Sequence, residues 1–144
     1  MLETYVWLHQ ALYSCGFDIA IKNDYAQLLR VVLRRIEMFL RHRITLVLVF
    51  DGAPLPSKEN TENKRELNRQ DNLQKGKELL AAGDKTEANK FLTRSLDVTP
   101  LMAHKVIKMA QEKGIECIVA PYEADAQLAY LSKIPIFCRI RLID

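Results

Sequence analysis

Two carboxylates, Glu123 and Asp125, open a predicted helix within Pro121-Tyr122-Glu123-Ala124-Asp125-Ala126-Gln127-Leu128-Ala129-Tyr130. They follow a short apolar run ending Ile118-Val119-Ala120. The junction of a buried strand with a helix is where open α/β sheets bind their ligands. A third acid, Asp51, closes Ile44-Thr45-Leu46-Val47-Leu48-Val49-Phe50, a nearly unbroken apolar and β-branched run. Such a run reads as a strand buried on both faces, as in a parallel sheet. Gly52 and Pro54 then turn the chain away, although Asp-Gly is also a common turn pair in its own right. A fourth acid, Asp144, ends a β-prone run from Ile136 to Ile143.

In a parallel sheet the carboxyl ends of the strands share one edge, so these acids converge. Clustered carboxylates repel one another and raise each other's pKa. They are stable together chiefly when they hold cations. An oxygen-only donor set points to Mg²⁺ or Mn²⁺ rather than Zn²⁺. A carboxylate-bound Mg²⁺ pair is a recurring device for cleaving phosphodiesters. One geometric condition applies. Residues i and i+2 point about 200° apart on a regular helix. Glu123 and Asp125 both reach one site only if Glu123 lies at or before the first turn.

The elements that position these acids are legible along the chain. The 144 residues make one domain, and at 49% hydrophobic they build a sizeable core. No apolar run approaches the roughly 20 residues of a membrane span, and the first residues lack the pattern of a secretory signal. Cys15, Cys117 and Cys138 are odd in number and lack metal-ligand spacing, which fits buried thiols in a reducing compartment. A net charge of +3 permits nucleic-acid binding without arguing for it.

Glu3 to Ser14 is helix-compatible, with Gly16 expected as a break. Asn23-Asp24 caps a second helix whose apolar stripe is Tyr25, Leu28, Leu29, Val32, Leu33, Ile36, Phe39 and Leu40. Residues 57–97 are polar, charge-mixed and rich in helix formers. They read as an inserted helical pair with Gly83 as a stop and Asp84 and Glu87 as a capping box. Thr99-Pro100 starts the next helix, Gly114 ends it, and Ile115 to Ala120 is a strand. The order predicts an α/β fold with a mainly parallel sheet flanked by helices.

These residues resemble the flap endonuclease and XPG-type structure-specific 5′-nuclease family. The motifs that carry the likeness are Tyr5-Val6-Trp7-Leu8-His9, then Leu48-Val49-Phe50-Asp51-Gly52 with Leu55-Pro56-Ser57-Lys58, then Gln70 to Lys77. Phe91-Leu92-Thr93-Arg94-Ser95 and Met102 to Lys108 follow, and last Val119 to Leu131 around Glu123 and Asp125. They span roughly residues 3–133. The resemblance implies a PIN-like nuclease core and Mg²⁺-dependent, two-ion hydrolysis of DNA. That hydrolysis would run 5′-to-3′ as an exonuclease or act at 5′ flaps, in mismatch repair and recombination in the nucleus. It implies DNA with 5′ ends, nicks or flaps as substrate, mismatch-repair proteins as partners through regions outside this sequence, and no membrane.

By the same resemblance Asp51, Glu123 and Asp125 are metal ligands. Lys58 and Arg65 are the catalytic basic pair at the base of a helical arch formed by about 57–97. Their sevenfold spacing is two helical turns, so both fall on one face. His9, Lys58, Arg65 and Arg69 contact DNA. Two positions depart from the pattern. Glu3 stands where the family has a metal-binding Asp, and its longer arm shifts the carboxylate. Asp144 has the spacing of the first member of an Asp-x-Asp pair, but the stretch 134–144 around it diverges. The sequence is accordingly expected to be part of a larger nuclease domain, cut at both ends. The other expectation is a catalytically inactive remnant that binds DNA or protein.

Overall fold

The computed structural model describes residues 2–134. The expected strand over 136–143, and Asp144 with it, lie outside the described residues. Three parallel strands form one sheet in the order β1 (Leu2–Glu3), β2 (Val47–Phe50), β3 (Glu116–Val119). Leu2 stands opposite Leu48, and Phe50 opposite Val119. Two helices, α1 (Tyr5–Lys22) and α2 (Ala26–Arg41), connect β1 to β2. A short 3₁₀ turn (Pro56–Lys58), α3 (Glu59–Ala81), α4 (Lys85–Arg94) and α5 (Pro100–Glu112) connect β2 to β3. The helix α6 (Ala124–Ser132) follows β3.

The central strand is buried on both faces, as its unbroken apolar run predicts. Leu48 and Phe50 point into the main core with Leu8, Ala11, Leu12, Leu28, Val32, Ile36 and Val106 of α1, α2 and α5. Val49 alternates to the other face, against Ala124 and Leu131 of α6. β2 is shorter than the run that suggested it. Arg43 adopts a left-handed φ of 56°, and the Ile44 N–H bonds back to the Phe39 carbonyl at 3.1 Å. The first residues of the run therefore close α2 before the strand begins.

Local signals place most helix ends. Thr99 caps α5 by accepting from the Met102 N–H at 3.3 Å, with Pro100 at its first position. Asp84 caps α4 by accepting from the Glu87 N–H at 3.1 Å. Glu87 itself turns to Lys90, so only half of the capping box forms. Gly83 and Gly114 hold left-handed φ values of 89° and 72°.

Gly16 differs from expectation. The helix continues past it to Lys22 with a kink at Cys15 (φ −132°, ψ 15°). A Cβ on Gly16 would lie 2.3 Å from Thr93 Oγ1, so its smallness lets α4 approach α1. The insert is also less detached than its composition suggests. Ala88 and Leu92 of α4 are fully buried, and Gly76 of α3 packs against Leu92. Only the first half of α3 stands away from the core. Among the described residues no helix is long and apolar enough to cross a membrane.

Gly52 carries the tightest constraint. A Cβ there would lie 1.8 Å from the Ala120 carbonyl oxygen, a backbone atom that cannot rotate away. Gly52→Ala should therefore lower stability by about 1–3 kcal/mol in urea unfolding, the usual range for overpacking. Gly83→Asn, in open space and at a φ that Asn tolerates, should be near neutral.

Candidate active site at the carboxyl edge of the sheet

The strand ends are joined by main-chain bonds beyond the sheet. The Ala120 N–H donates to the Phe50 carbonyl at 2.9 Å, the Gly52 N–H to the Tyr122 carbonyl at 2.7 Å, and the Ala53 N–H to the Pro121 carbonyl at 3.0 Å. This pairing lays the segment after β2 along the turn that leads into α6. Asp51 lies inside it, half-buried, and its Oδ1 accepts from the Ala124 N–H at 2.6 Å. A residue from a different strand thus caps α6. The position that would normally do so, Glu123, offers no side-chain cap.

Glu123 is extended, with φ −81° and ψ 135°. It precedes the first helical residue, and the geometric condition on the Glu123 and Asp125 pair is met. Asp125 lies in the first turn of α6, exposed, where a negative charge is favoured by the helix dipole. Glu3 closes β1 opposite Val49, so its backbone belongs to the same edge of the sheet.

The expected basic residues divide. Lys58, at the end of the 3₁₀ turn, places its ammonium against Glu123 Oε1 and so reaches the acid site directly. Arg65 is held by Glu62 of its own helix at 2.6 Å. Arg69 lies among three acids, with Glu66 at 3.2 Å, Glu62 at 3.7 Å and Asp97 in close contact. His9 lines a cavity of about 300 Å³ between α1, α3 and α4, together with Asn68, Asn72, Thr93 and Arg94.

Tyr5 is a residue that sequence reasoning quoted in a motif but assigned no role. Burial pushes its phenol pKa up, and the charges of Asp51 and then Asp97 push it further. Its position directly after the first strand, at the start of α1, was the available signal. Thr4, which precedes it, is fully buried, and its hydroxyl has no hydrogen-bond partner among the described residues. Burial likewise raises the thiol pKa values of Cys15 and Cys117, as fits inert packed thiols.

The donor chemistry suits a hard divalent cation. All the candidate ligands are carboxylates, and Asp51 Oδ2 and Asp125 accept no hydrogen bond or ion pair from the described residues. The Lys58 ammonium supplies positive charge at Glu123. Among the described residues, no three His, Cys, Asp or Glu side chains gather closely enough to hold a metal ion.

A parallel α/β core with a charge-mixed helical insert is compatible with the fold of an XPG N-terminal domain. Residues 2–72, about half of the chain, match the XPG N-terminal domain. The chain's relatives include exonuclease 1 of Danio rerio, 47% identical over 92% of this chain and 16% of the relative. Exonuclease 1 of Xenopus laevis is 45% identical over 92% of this chain and 18% of its own length. Exodeoxyribonuclease 1 of Schizosaccharomyces pombe is 43% identical over 92% and 23%. The chain spans less than a quarter of the length of these curated relatives.

Two measurements check the site. Asp51→Ala removes the α6 cap and should cost about 1 kcal/mol in urea unfolding, whereas Asp51→Asn keeps an acceptor and should cost less. Second, Tyr5 should ionise above the ordinary value of 10.0 in a tyrosinate absorbance titration, and Asp51→Asn should bring it down. A raised folded-state pKa means that the unfolded chain ionises first. Stability held below pH 10.0 is therefore lost as pH rises through the folded-state value.

Proposed function

We propose that this chain forms part of the catalytic core of a Mg²⁺-dependent 5′-to-3′ DNA exonuclease and 5′-flap endonuclease. It would act in the nucleus, in mismatch repair and recombination, on DNA with 5′ ends, nicks or flaps. The observation that carries the reading is the Asp51–Ala124 hydrogen bond, which brings the acid of one strand end against the Glu123 and Asp125 pair of the next. Asp51, Glu123 and Asp125 would hold the ions, with Glu3 and Asp144 as further candidates. Bound Mg²⁺ would supply positive charge at the scissile phosphate. Lys58 already stands at Glu123, and transferring its ammonium from that carboxylate to a phosphate would neutralise charge there. Arg65 would add a planar, always-charged donor group two helical turns along. His9 and the polar cavity beside α3 offer contacts to a nucleotide near the DNA end.

A second reading, DNA or protein binding without cleavage, is favoured by the lack of a three-ligand group among the described residues. Degradation of 5′-labelled duplex in Mg²⁺ separates the two. Asp51→Asn and Glu123→Gln, which preserve shape, should each lower the rate by at least ~10²-fold. Equal residual activity in the unaltered chain and in Asp51→Ala would sink the catalytic reading and leave the binding one.

A further inference from the structure

The first half of α3 carries Arg65 and begins beside Lys58, yet little holds it. From Asn60 to Asp71 every described side chain is exposed except those of Glu62 and Arg69, and Leu67 is 64% exposed. Arg69 is the exception that reaches the body of the protein. Its side chain is only 21% exposed, and its Nη2 contacts Asp97 Oδ2. Asp97 lies in the link between α4 and α5, flanked by Leu96 and Val98, which pack on the main core. Its second oxygen accepts from the Val98 N–H at 2.8 Å, so the backbone fixes the carboxylate.

We propose that Arg69 and Asp97 form a latch that fixes the exposed half of α3 to the body of the protein, making Arg69 a positioning residue rather than a DNA contact. The segment is then tied at two points. Lys58 holds its base to Glu123, and Arg69 holds it to Asp97 eleven residues on, about three helical turns. Arg65 lies between the two ties. Glu62 and Glu66 lie within ion-pair distance of the same guanidinium, so releasing Asp97 does not leave Arg69 without counter-charge. The functional part of this inference rests on the nuclease reading, since Lys58 and Arg65 are what the latch would position.

Hydrogen exchange on the 144-residue chain tests the latch without requiring activity. Asp97→Asn removes the charge but keeps an acceptor for Val98, and Arg69→Gln removes the other partner. Each should speed amide exchange over residues 60–68 about tenfold while α1 and α5 keep their protection, as expected for loss of one charge-assisted bond. The exchanged pair, Arg69→Asp with Asp97→Arg, should restore much of the protection. Unchanged exchange over 60–68 would overturn the proposal, as would equal loss of protection in α1 and α5. Binding to 5′-tailed duplex gives a second arm. Asp97→Asn should not tighten it, whereas tightening on release of Arg69 would show Arg69 to be a phosphate contact. If the chain binds no DNA, the nuclease reading fails and the exchange result still decides the latch.

Discussion

The bond from the Ala124 N–H to the Asp51 carboxylate is the interaction on which the site depends. It joins the end of β2 to the start of α6, across a turn already fastened by the Gly52 and Ala53 N–H groups. A helix start leaves N–H groups unsatisfied and carries partial positive charge, and a carboxylate answers both. Structure and chemistry therefore draw on the same group. The cap uses one oxygen of Asp51 and leaves the other without a partner among the described residues. Glu123, at the cap position, makes no side-chain cap, and Asp51 takes that place. The contact that orders α6 is also the contact that sets three acids at one edge.

Around this fixed point the basic residues are held more loosely. Lys58 and Glu123 are both about half exposed, and such pairs contribute roughly 0–1 kcal/mol. An ammonium held that weakly exchanges readily for another anion. Among the described residues Arg65 pairs with Glu62 alone, on its own helix. Arg69 is more enclosed, and it reaches an acid that belongs to the core. The insert is thus graded. Its second helix is packed through Ala88 and Leu92, and among the described residues the first half of α3 is tied by the side chain of Arg69.

What could be read in the sequence follows the range of the interaction. Gly83, Asp84, Thr99-Pro100 and Gly114 mark helix ends because caps and left-handed turns are set by neighbours within a few residues. The two-faced burial of Val47–Phe50 was legible because periodicity is also local. Gly16 misled because its reason is Thr93, distant in sequence, and a helix glycine required by a neighbour looks the same as one that breaks a helix. Strand-end logic brought Asp51 to the Glu123 and Asp125 pair. The partner of Arg69 could not be foreseen, because residues 95–99 carry no pattern that places Asp97 beneath α3. The acidic surroundings of Tyr5 were hidden for the same reason, since Asp51 and Asp97 arrive from separate links.

Acids and bases are placed here by different means. Asp51 and Asp97 each give one oxygen to a main-chain N–H, of Ala124 and of Val98, so the backbone sets their positions. The cations, Lys58 at Glu123 and Arg69 at Asp97, are long side chains reaching in from an exposed helix and the turn before it. Ordering such a chain costs up to about 2 kcal/mol of rotamer entropy, which limits what each ion pair contributes. The guanidinium of Arg69 loses less per bond formed, because its planar fork is already rigid. A negative frame held by the backbone, met by positive groups that can swing, suits a polyanion that must enter and leave. The frame keeps its shape while the bases change partners. Arg69, whose partner Asp97 is itself fixed to the backbone, is then the base suited to keep Lys58 and Arg65 within reach.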